Sequence, residues 1–460
     1  MRRSRSTARG GGIWLWLPPL VLILLATCLF LRGAVPAFRS GVSALSAALA
    51  RAEPRTLAAA RAAASAACAT DAARAAAGRA PQCLGRESSS SSSSSSGGAS
   101  VPASAPAAPP LHIYYRVAAV EASFSGGARF QGWRKSALVL ATTASLRASL
   151  DVLASGEGGG ALRPPPVVNV TVLYDGLQRD AARAAAWRAA MEAVLADNWH
   201  WAATTTLVLR HAAASGEGSP PVGNRGTNLV QFARFRELPC ARAAAEGGVG
   251  VGVGVGVGVG GGGDWDDDPL IYFVEDDYIH MSSALSEMVE VLTLPWIDGS
   301  PRARFATPMD HPDRLRNVGD LARGATLVVG SSRRAWRSVP STTMTFAARC
   351  ADAARVLPTM EALAPDDFTI WPRLQWRRFA GFTLATLPEN QLFGPIPSLA
   401  IHGTANFISI YGPAGTGFAS WCGFADCLRD AALAVLAARA PAALEVIRRY
   451  DAALASASST

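Results

Sequence analysis

The sequence predicts an α/β fold, in which a mostly parallel β-sheet carries helices on both faces. From Leu111 onward, short segments rich in β-branched and aromatic residues alternate with longer segments of helical spacing, and short turns separate them. One apolar strand, near residue 270, runs directly into three carboxylates. The chain has 460 residues, enough for one large domain with extra segments or for two domains.

The alternating elements follow one another from residue 111 to residue 211. The strand sequences are LHIYYRVAAV (111–120), PPVVNVTVLYDG (165–176) and TTTLVLRH (204–211), and the segments 133–154 and 179–198 between them have helical spacing. Parallel α/β sheets bind ligands beyond the carboxyl ends of their strands. Asp175 ends the second strand, so we expect it to lie near a bound ligand.

The stretch PLIYFVEDDYIHM (269–281) places Glu275, Asp276 and Asp277 directly after five residues of strand character. Adjacent carboxylates repel one another and resist burial, so a cation or another partner must neutralise them. A divalent metal ion that also holds a diphosphate suits this arrangement, because it takes hard oxygen ligands and leaves positions open for phosphate. A surface acidic turn and a cluster paired with arginines are the alternatives.

Residues 1–110 have the features of a membrane anchor and a stem. The run from Ile13 to Leu31 is 19 residues without a charge, about 28 Å as a helix, which just spans the hydrocarbon of a bilayer. Four arginines precede it, which favours a cytosolic tail (1–12) and a luminal body. A signal peptide cleaved near Ala34 or Ala37 is the alternative. Residues 32–110 contain alanine-rich runs and nine consecutive serines, so we expect a disordered, low-complexity stem.

The net charge of +8 does not indicate a nucleic-acid partner. Residues 1–110 hold 12 arginines and 3 acidic residues, whereas the remaining 350 residues hold 31 basic and 32 acidic residues. The folded part is therefore close to neutral, which excludes a basic binding surface as its main feature. Lys135 is the only lysine, so a phosphate-binding loop of the GxxxxGK[ST] type is absent from the sequence.

Residues 247–268 consist of a Val-Gly repeat and an acidic run. The repeat contains a formal GxGxxG pattern that neither follows a strand nor opens a helix, so we reject a dinucleotide site. The aspartates before Pro269 lack the spacing of a calcium loop. We expect a flexible surface insertion.

Six of the seven cysteines follow the apolar run and would lie in an oxidising compartment. Cys422 and Cys427 are the closest two in sequence, either as a disulfide or as two free buried thiols. The sequence contains no CxxC or HExxH zinc pattern.

Two further segments, GNRGTNLVQFARF (223–235) and SVPSTTMTFAARC (338–350), combine small and polar residues. The first places Asn224, Arg225 and Asn228 at a turn that leads into a helix, where backbone amides and the arginine can meet phosphate or sugar hydroxyls. The second is rich in hydroxyl groups, and we predict that it opens a helix.

Two later segments carry acidic residues and a histidine. ALAPDDFTIW (362–371) puts Asp366 and Asp367 in the first turn of a predicted helix, and GPIPSLAIHGTAN (394–406) ends a strand-like run on His402. Each has a simpler interpretation, since the aspartates suit a helix cap and the histidine suits a core position.

The order of these segments resembles that of the GT-A glycosyltransferases, which have a DxD-type acidic motif, a small-residue loop, an acidic pair on a helix and a C-terminal histidine. FVEDDYIH is similar to the EDD form of the motif in the Golgi N-acetylglucosaminyltransferases, and PDDFTIW is similar to their aspartate-pair segment. The same block resembles a family of glycosyltransferase-2-like proteins. The resemblance covers about residues 111–410.

The resemblance implies a ligand set for a divalent metal ion, usually Mn²⁺, and for a nucleotide sugar. Asp277 and His402 would hold the metal. Glu275 and Asp276 would lie towards the ribose and around the metal ligands, and Asp175 would lie near the nucleoside.

The resemblance also implies a catalytic base and a domain. Asp367, or alternatively Asp366, would deprotonate an acceptor hydroxyl, and a single displacement assisted by such a base inverts the anomeric carbon. The predicted GT-A domain, Rossmann-like in its sheet, spans residues 111–425, and a helical tail spans residues 426–460.

The function that these expectations define is a metal-dependent, inverting glycosyltransferase of the hexosyl- or N-acetylhexosaminyl-transferase class. It would move a sugar from a nucleotide sugar to a hydroxyl of a glycan, protein or lipid, as a single-pass type II protein of the Golgi membrane. A catalytically inactive luminal binding protein with the same fold is one alternative. A two-metal phosphohydrolase is the other.

Overall fold

A nine-stranded sheet is the centre of the computed structural model, and two further sheets have two strands each. The structure describes residues 109–118, 133–155, 166–175, 181–195, 205–211, 224–246, 268–293, 303–309, 328–331, 333–342, 344–364, 367–379, 382–403 and 418–457. All of them fall within one compact unit, Ala60–Thr460. The predicted anchor, the stem up to residue 108 and the insertion up to residue 267 lie outside the described residues.

The strands are β1 (Leu111–Ala118), β2 (Val168–Asp175), β3 (Thr205–His211), β4 (Leu270–Glu275), β5 (Tyr278–His280), β6 (Phe305–Ala306), β7 (Val328–Gly330), β8 (Ala335–Ser338), β9 (Phe346–Arg349), β10 (Trp376–Phe379), β11 (Phe382–Thr386), β12 (Leu392–Ile396) and β13 (Ala400–His402). The helices are α1 (Lys135–Ser155), α2 (Ala181–Leu195), α3 (Asn224–Phe235), α4 (Pro239–Glu246), α5 (Ala284–Thr293), α6 (Cys350–Leu363), α7 (Asp367–Gln375), α8 (Phe418–Arg439) and α9 (Pro441–Ala457).

The large sheet has the order β3-β2-β1-β4-β9-β6-β12-β8-β7. Its first four strands are parallel, β9 runs against both β4 and β6, β12 is parallel to β6, and β8 runs against β12 and β7. All strands except β9 and β8 therefore point the same way. The predicted α/β class with a mostly parallel sheet is confirmed.

Both faces of the sheet are covered by helices, because the residues of its central strands alternate between two cores. On β1, Ile113, Tyr115 and Val117 lie in the core that α1, α2 and α5 cover. Tyr114 lies in the opposite core, beneath α3, α6 and α7. Strands buried on both faces explain why the sequence reads as nearly continuous apolar runs.

The last two helices are part of the folded domain. On α8 and α9, Leu428, Leu436, Leu444 and Ile447 are buried in the same core as α1 and α2. The predicted domain limit at residue 425 falls inside α8, so the folded domain extends to Ala457.

One of the described helices, α1, is long and apolar enough to cross a membrane by length and composition. Of its most apolar window, 67% is buried inside the protein, as in the core helix of a water-soluble domain. The predicted anchor (13–31) is a different segment.

A disulfide that the sequence analysis did not predict joins Cys240 on α4 to Cys350 at the start of α6, with Cα atoms 6.2 Å apart. Cys427 is also disulfide-bonded, to a partner outside the described side chains. Cys422 lies five residues before Cys427 on α8, about 7.5 Å along the helix axis. That separation argues against a bridge between these two, because disulfides need Cα atoms less than about 7 Å apart. The other alternative, two free thiols, is wrong for Cys427, which is disulfide-bonded.

We expect Cys240→Ser to lower the free energy of unfolding by about 4–5 kcal/mol, because the bond closes a loop of 110 residues and so restricts the unfolded chain. Urea unfolding of the full chain in detergent, without reductant, measures this loss. The double variant Cys240→Ser/Cys350→Ser should unfold like the single variant, since both lack the same bond. Equal midpoints for Cys240→Ser and the parent would contradict the pairing.

Candidate active site

The candidate site lies where the order of the parallel strands reverses. From β1, the chain builds β2 and β3 on one side and then places β4 on the other side. In open α/β sheets this switch point, at the carboxyl ends of the strands, is where ligands bind. The strand ends are nearly level there, since Ala118 pairs with Asp175, and Arg116 pairs with Glu275.

The three carboxylates of the acidic turn after β4 contact three different side chains, which are an arginine, a lysine and a histidine. Glu275 forms an ion pair with Arg116 of the neighbouring strand β1. Asp276 accepts a hydrogen bond of 2.6 Å from the ammonium of Lys135, the first residue of α1. The third carboxylate, that of Asp277, has its Oδ2 atom 3.3 Å from His402 Nε2. The cationic partners left open by the sequence therefore include an arginine and a lysine of the chain itself.

His402 reaches the turn through a pairing between two short strands. β13 runs against β5, with His402 opposite Tyr278, and the two rings meet edge to face at 5.1 Å. The next residue, Gly403, donates its N–H to the main-chain oxygen of Asp277 at 2.6 Å. A Cβ atom at Gly403 would overlap a methyl carbon of the buried Leu138 side chain, so a larger residue here would require that side chain to shift.

The carboxylate of Asp277 has an oxygen atom available for a ligand. Its Oδ1 atom is buried and has no hydrogen-bond partner among the described residues, while the side chain as a whole is 24% exposed. Burial alone would raise the pKa of Asp277, but its electrostatic interactions with His402, Lys135 and Arg116 outweigh burial and hold this pKa below its usual value. The group is an anion at neutral pH.

This pair fits part of a metal coordination sphere. The carboxylate suits Mn²⁺, the imidazole would add one neutral ligand, and phosphate oxygens and water can fill the remaining positions. Within the described part of the chain, no three His, Cys, Asp or Glu side chains converge into a metal cage. A metal held by Asp277 and His402 would therefore take most of its ligands from the substrate and from solvent.

Glu275 and Asp276 are more buried than Asp277, with side chains 9% and 7% exposed. The backbone N–H of Glu275 donates to Thr345 Oγ1 at 3.1 Å, which fixes the strand end next to β9. Their predicted place beside the ribose stays a prediction. The geometry shows that both carboxylates are held by the protein itself.

On α3, Asn228 is fully buried, and neither atom of its side-chain amide has a partner within the described part of the structure. One turn later, Gln231 donates its Nε2–H to the main-chain oxygen of Tyr114 at 2.7 Å. Residues three apart share a helix face, so Asn228 faces the same side of the sheet as Arg116. A buried amide without a partner is unfavourable, so this position suits a residue that binds a ligand.

The other predicted binding residues are placed only by their backbones. Asn224 begins α3 and Arg225 follows it, while Asp175 is the last residue of β2 at the carboxyl edge. Their side chains lie outside the described structure.

Of the predicted acidic pair, Asp366 lies outside the described residues, and Asp367 is described only as the residue at which α7 begins. One turn into this helix, Trp371 is fully buried and packs edge-on against Phe346 at 5.1 Å. Phe346 follows Thr345, which accepts the Glu275 N–H. α7 is therefore packed next to the strand that contacts the acidic turn.

Sequence reasoning missed the two cations of the site. The signal for Arg116 was a charge inside the otherwise apolar β1, and the signal for Lys135 was that it is the only lysine in the chain.

Neither a protein-family model nor a curated protein matches this sequence.

Proposed function

We propose that this protein is a metal-dependent glycosyltransferase of the GT-A type, which moves a sugar from a nucleotide sugar to an acceptor hydroxyl. The observation that carries the proposal is the Asp277–His402 pair at the switch point, where a carboxylate with a free buried oxygen faces an imidazole. A parallel half, β3-β2-β1-β4, that ends in this acidic turn supports a nucleotide-binding role.

The charges of the site support a divalent cation together with a diphosphate. Three carboxylates face two permanent cations, Arg116 and Lys135, which leaves one negative charge when His402 is neutral. A divalent ion would turn this into one positive charge, which then attracts the diphosphate of a nucleotide sugar.

In this mechanism the acceptor oxygen attacks the anomeric carbon as the bond to the diphosphate oxygen breaks. The bonding electrons leave with the diphosphate, and the hydroxyl proton passes to Asp367 as the proposed base. Asp277 and His402 would hold the metal ion, which when bound neutralises charge on the diphosphate. Attack from the face opposite the diphosphate inverts the anomeric carbon.

A luminal location in the secretory pathway, with the Golgi membrane as the proposed site, is supported by the disulfides. Cys240 is bonded to Cys350, and Cys427 is also disulfide-bonded. Such bonds persist mainly in oxidising compartments. Hydroxyls of glycans, proteins or lipids are the acceptors available there.

An inactive binding protein with the same fold is the second candidate. It is favoured by the ion pairs of Glu275 and Asp276, which occupy two of the three carboxylates with the protein's own cations. Such a protein would bind a nucleotide sugar without turning it over.

We expect one nucleotide sugar to raise the thermal unfolding midpoint of the full chain in detergent, and only when Mn²⁺ is present. A ligand at one hundred times its dissociation constant stabilises the folded state by about 2.7 kcal/mol. The screen pairs each uridine, guanosine and cytidine diphosphate sugar with manganese and, as its control, with manganese-free buffer that contains a chelator.

Stabilisation followed by release of nucleoside diphosphate in the presence of acceptors supports the transferase. Stabilisation without release favours the inactive binding protein. If no nucleotide sugar shifts the midpoint with manganese, the proposed function is wrong.

A further inference from the structure

The only lysine of the chain lies at the candidate site. The sequence has 43 lysine and arginine residues in total, and the single ammonium group among them, that of Lys135, lies 2.6 Å from Asp276 Oδ1. The side chain of Lys135 is only 13% exposed. All other basic side chains of this group are arginines. The amine of Lys135 therefore distinguishes the candidate site from the rest of the chain.

The ammonium group of Lys135 differs from a guanidinium group in the contacts that it can make with anions. Arginine presents a rigid planar fork that matches both oxygens of one carboxylate, whereas lysine presents a compact point charge with three donors. Asp276 is one of the acceptors that this ammonium contacts. The same compact charge can contact a second anion beside that carboxylate.

The residue next to Lys135 attaches the start of α1 to a second helix. The hydroxyl of Ser136 donates to the carboxylate of Asp451, which belongs to the C-terminal helix α9. The first turn of α1 is thereby attached to α9, while Lys135 reaches the acidic turn. Its charge also acts on the neighbouring carboxylate, since it helps to lower the pKa of Asp277.

We infer that Lys135 is a further catalytic residue, whose ammonium contacts the diphosphate that leaves when the sugar is transferred. This inference rests on the proposed function. As the bond between the anomeric carbon and the diphosphate oxygen breaks, the electron pair stays on that oxygen, and the ammonium stabilises the new negative charge without giving up its proton. Asp276 is the positioning residue that holds the ammonium beside Asp277.

The test compares phosphate recognition in charge-matched variants of the full chain. Lys135→Met alone leaves Asp276 buried without its cation, which threatens the fold. The double variant Lys135→Met/Asp276→Asn removes both charges together and keeps the shapes similar. Arg188→Met, which removes a cation from an exposed ion pair on α2, is the control for the loss of one positive charge.

Isothermal titration calorimetry measures the binding of uridine, guanosine and cytidine diphosphates, and of their monophosphates, in the presence of Mn²⁺. We expect the double variant to lose about ten- to a hundred-fold in affinity for the diphosphate that the parent binds, the worth of one charge-assisted contact. The preference for diphosphate over monophosphate should shrink by the same factor. Arg188→Met should bind like the parent.

The outcomes separate this inference from the proposed function. If the parent and the double variant bind the diphosphate equally well, Lys135 does not contact it and the inference is wrong. The same holds if monophosphate and diphosphate lose affinity equally, because that result indicates a structural role. If the parent binds none of the three diphosphates with manganese, the proposed function itself fails.

Discussion

We expect Asp277→Asn to abolish manganese-dependent binding of the nucleotide sugar while the protein stays folded. The change removes one of two proposed metal ligands, so its effect should exceed the 10–100-fold loss that changes around metal ligands typically cause. The fold should survive because the contact that closes the turn, from the Gly403 N–H, uses the main-chain oxygen of Asp277. Asparagine has the same shape as aspartate and preserves that contact.

His402→Ala should weaken binding less, because water can replace one neutral ligand. Calorimetric titration of manganese and nucleotide sugar measures both variants, and circular dichroism verifies their folding. Asp430→Asn is the matched control, since Asp430 belongs to an exposed ion pair on α8 with a side chain 45% exposed. Parent-like donor binding by both site variants would show that the metal site is misassigned.

The second large effect should come from Asp367→Asn, which we expect to lower turnover by a factor on the order of 10²–10⁴, the usual worth of a positioned general base. Asp367 begins α7, where the helix dipole stabilises a carboxylate. The buried ring of Trp371, one turn later, limits water on that side of the helix. The affinity for the donor should survive, because this carboxylate is not a proposed metal ligand.

Single-turnover measurements at saturating donor isolate this chemical step from binding. Asp366→Asn is the matched comparison, since it removes the neighbouring carboxylate of the predicted acidic pair. We expect that variant to lose stability or acceptor positioning and to keep most of its turnover. An unchanged single-turnover rate for Asp367→Asn would remove this residue from the mechanism.

The fold class was predictable because apolar strands and segments of helical spacing can each be recognised within a short stretch of sequence. The alternation of apolar strands and helical segments placed β1, β2, β3 and β4, together with the helices α1 and α2, close to their observed limits. Local patterns do not report which strands pair. The segment 338–350 leads into α6 at Cys350, as predicted, but it also contains the unpredicted strand β9, because Phe346 to Arg349 pair with β4 before α6 begins.

The partners of the acidic turn could not be predicted, because local sequence patterns do not show which distant residues become neighbours in the fold. Arg116 and Glu275 are 159 residues apart in sequence, and only the order and register of β1 and β4 make them neighbours. Lys135 meets Asp276 because α1 starts at the same edge of the sheet. The pair of Asp277 and His402 was expected only through the resemblance to known glycosyltransferases, and the structure brings these two residues together.

The disulfide between Cys240 and Cys350 has a consequence for the Val-Gly segment. That segment starts after α4, the short helix that carries Cys240, and it ends at Asp268 and Pro269. Cys350 donates its N–H to the Pro269 carbonyl at 2.8 Å, and the N–H of Ala351 donates to the Asp268 carboxylate at 3.2 Å. The helix before the segment and the residues directly after it are therefore both attached to the first turn of α6.

A segment whose flanking residues are held on both sides can change in length without moving the strand after it. Each doubling of such a loop costs only about 0.6 kcal/mol in closure entropy. Gain or loss of Val-Gly units should then leave the register of β4, and with it the acidic turn, unchanged. We therefore expect the number of Val-Gly units and the geometry of the acidic turn to vary independently of one another.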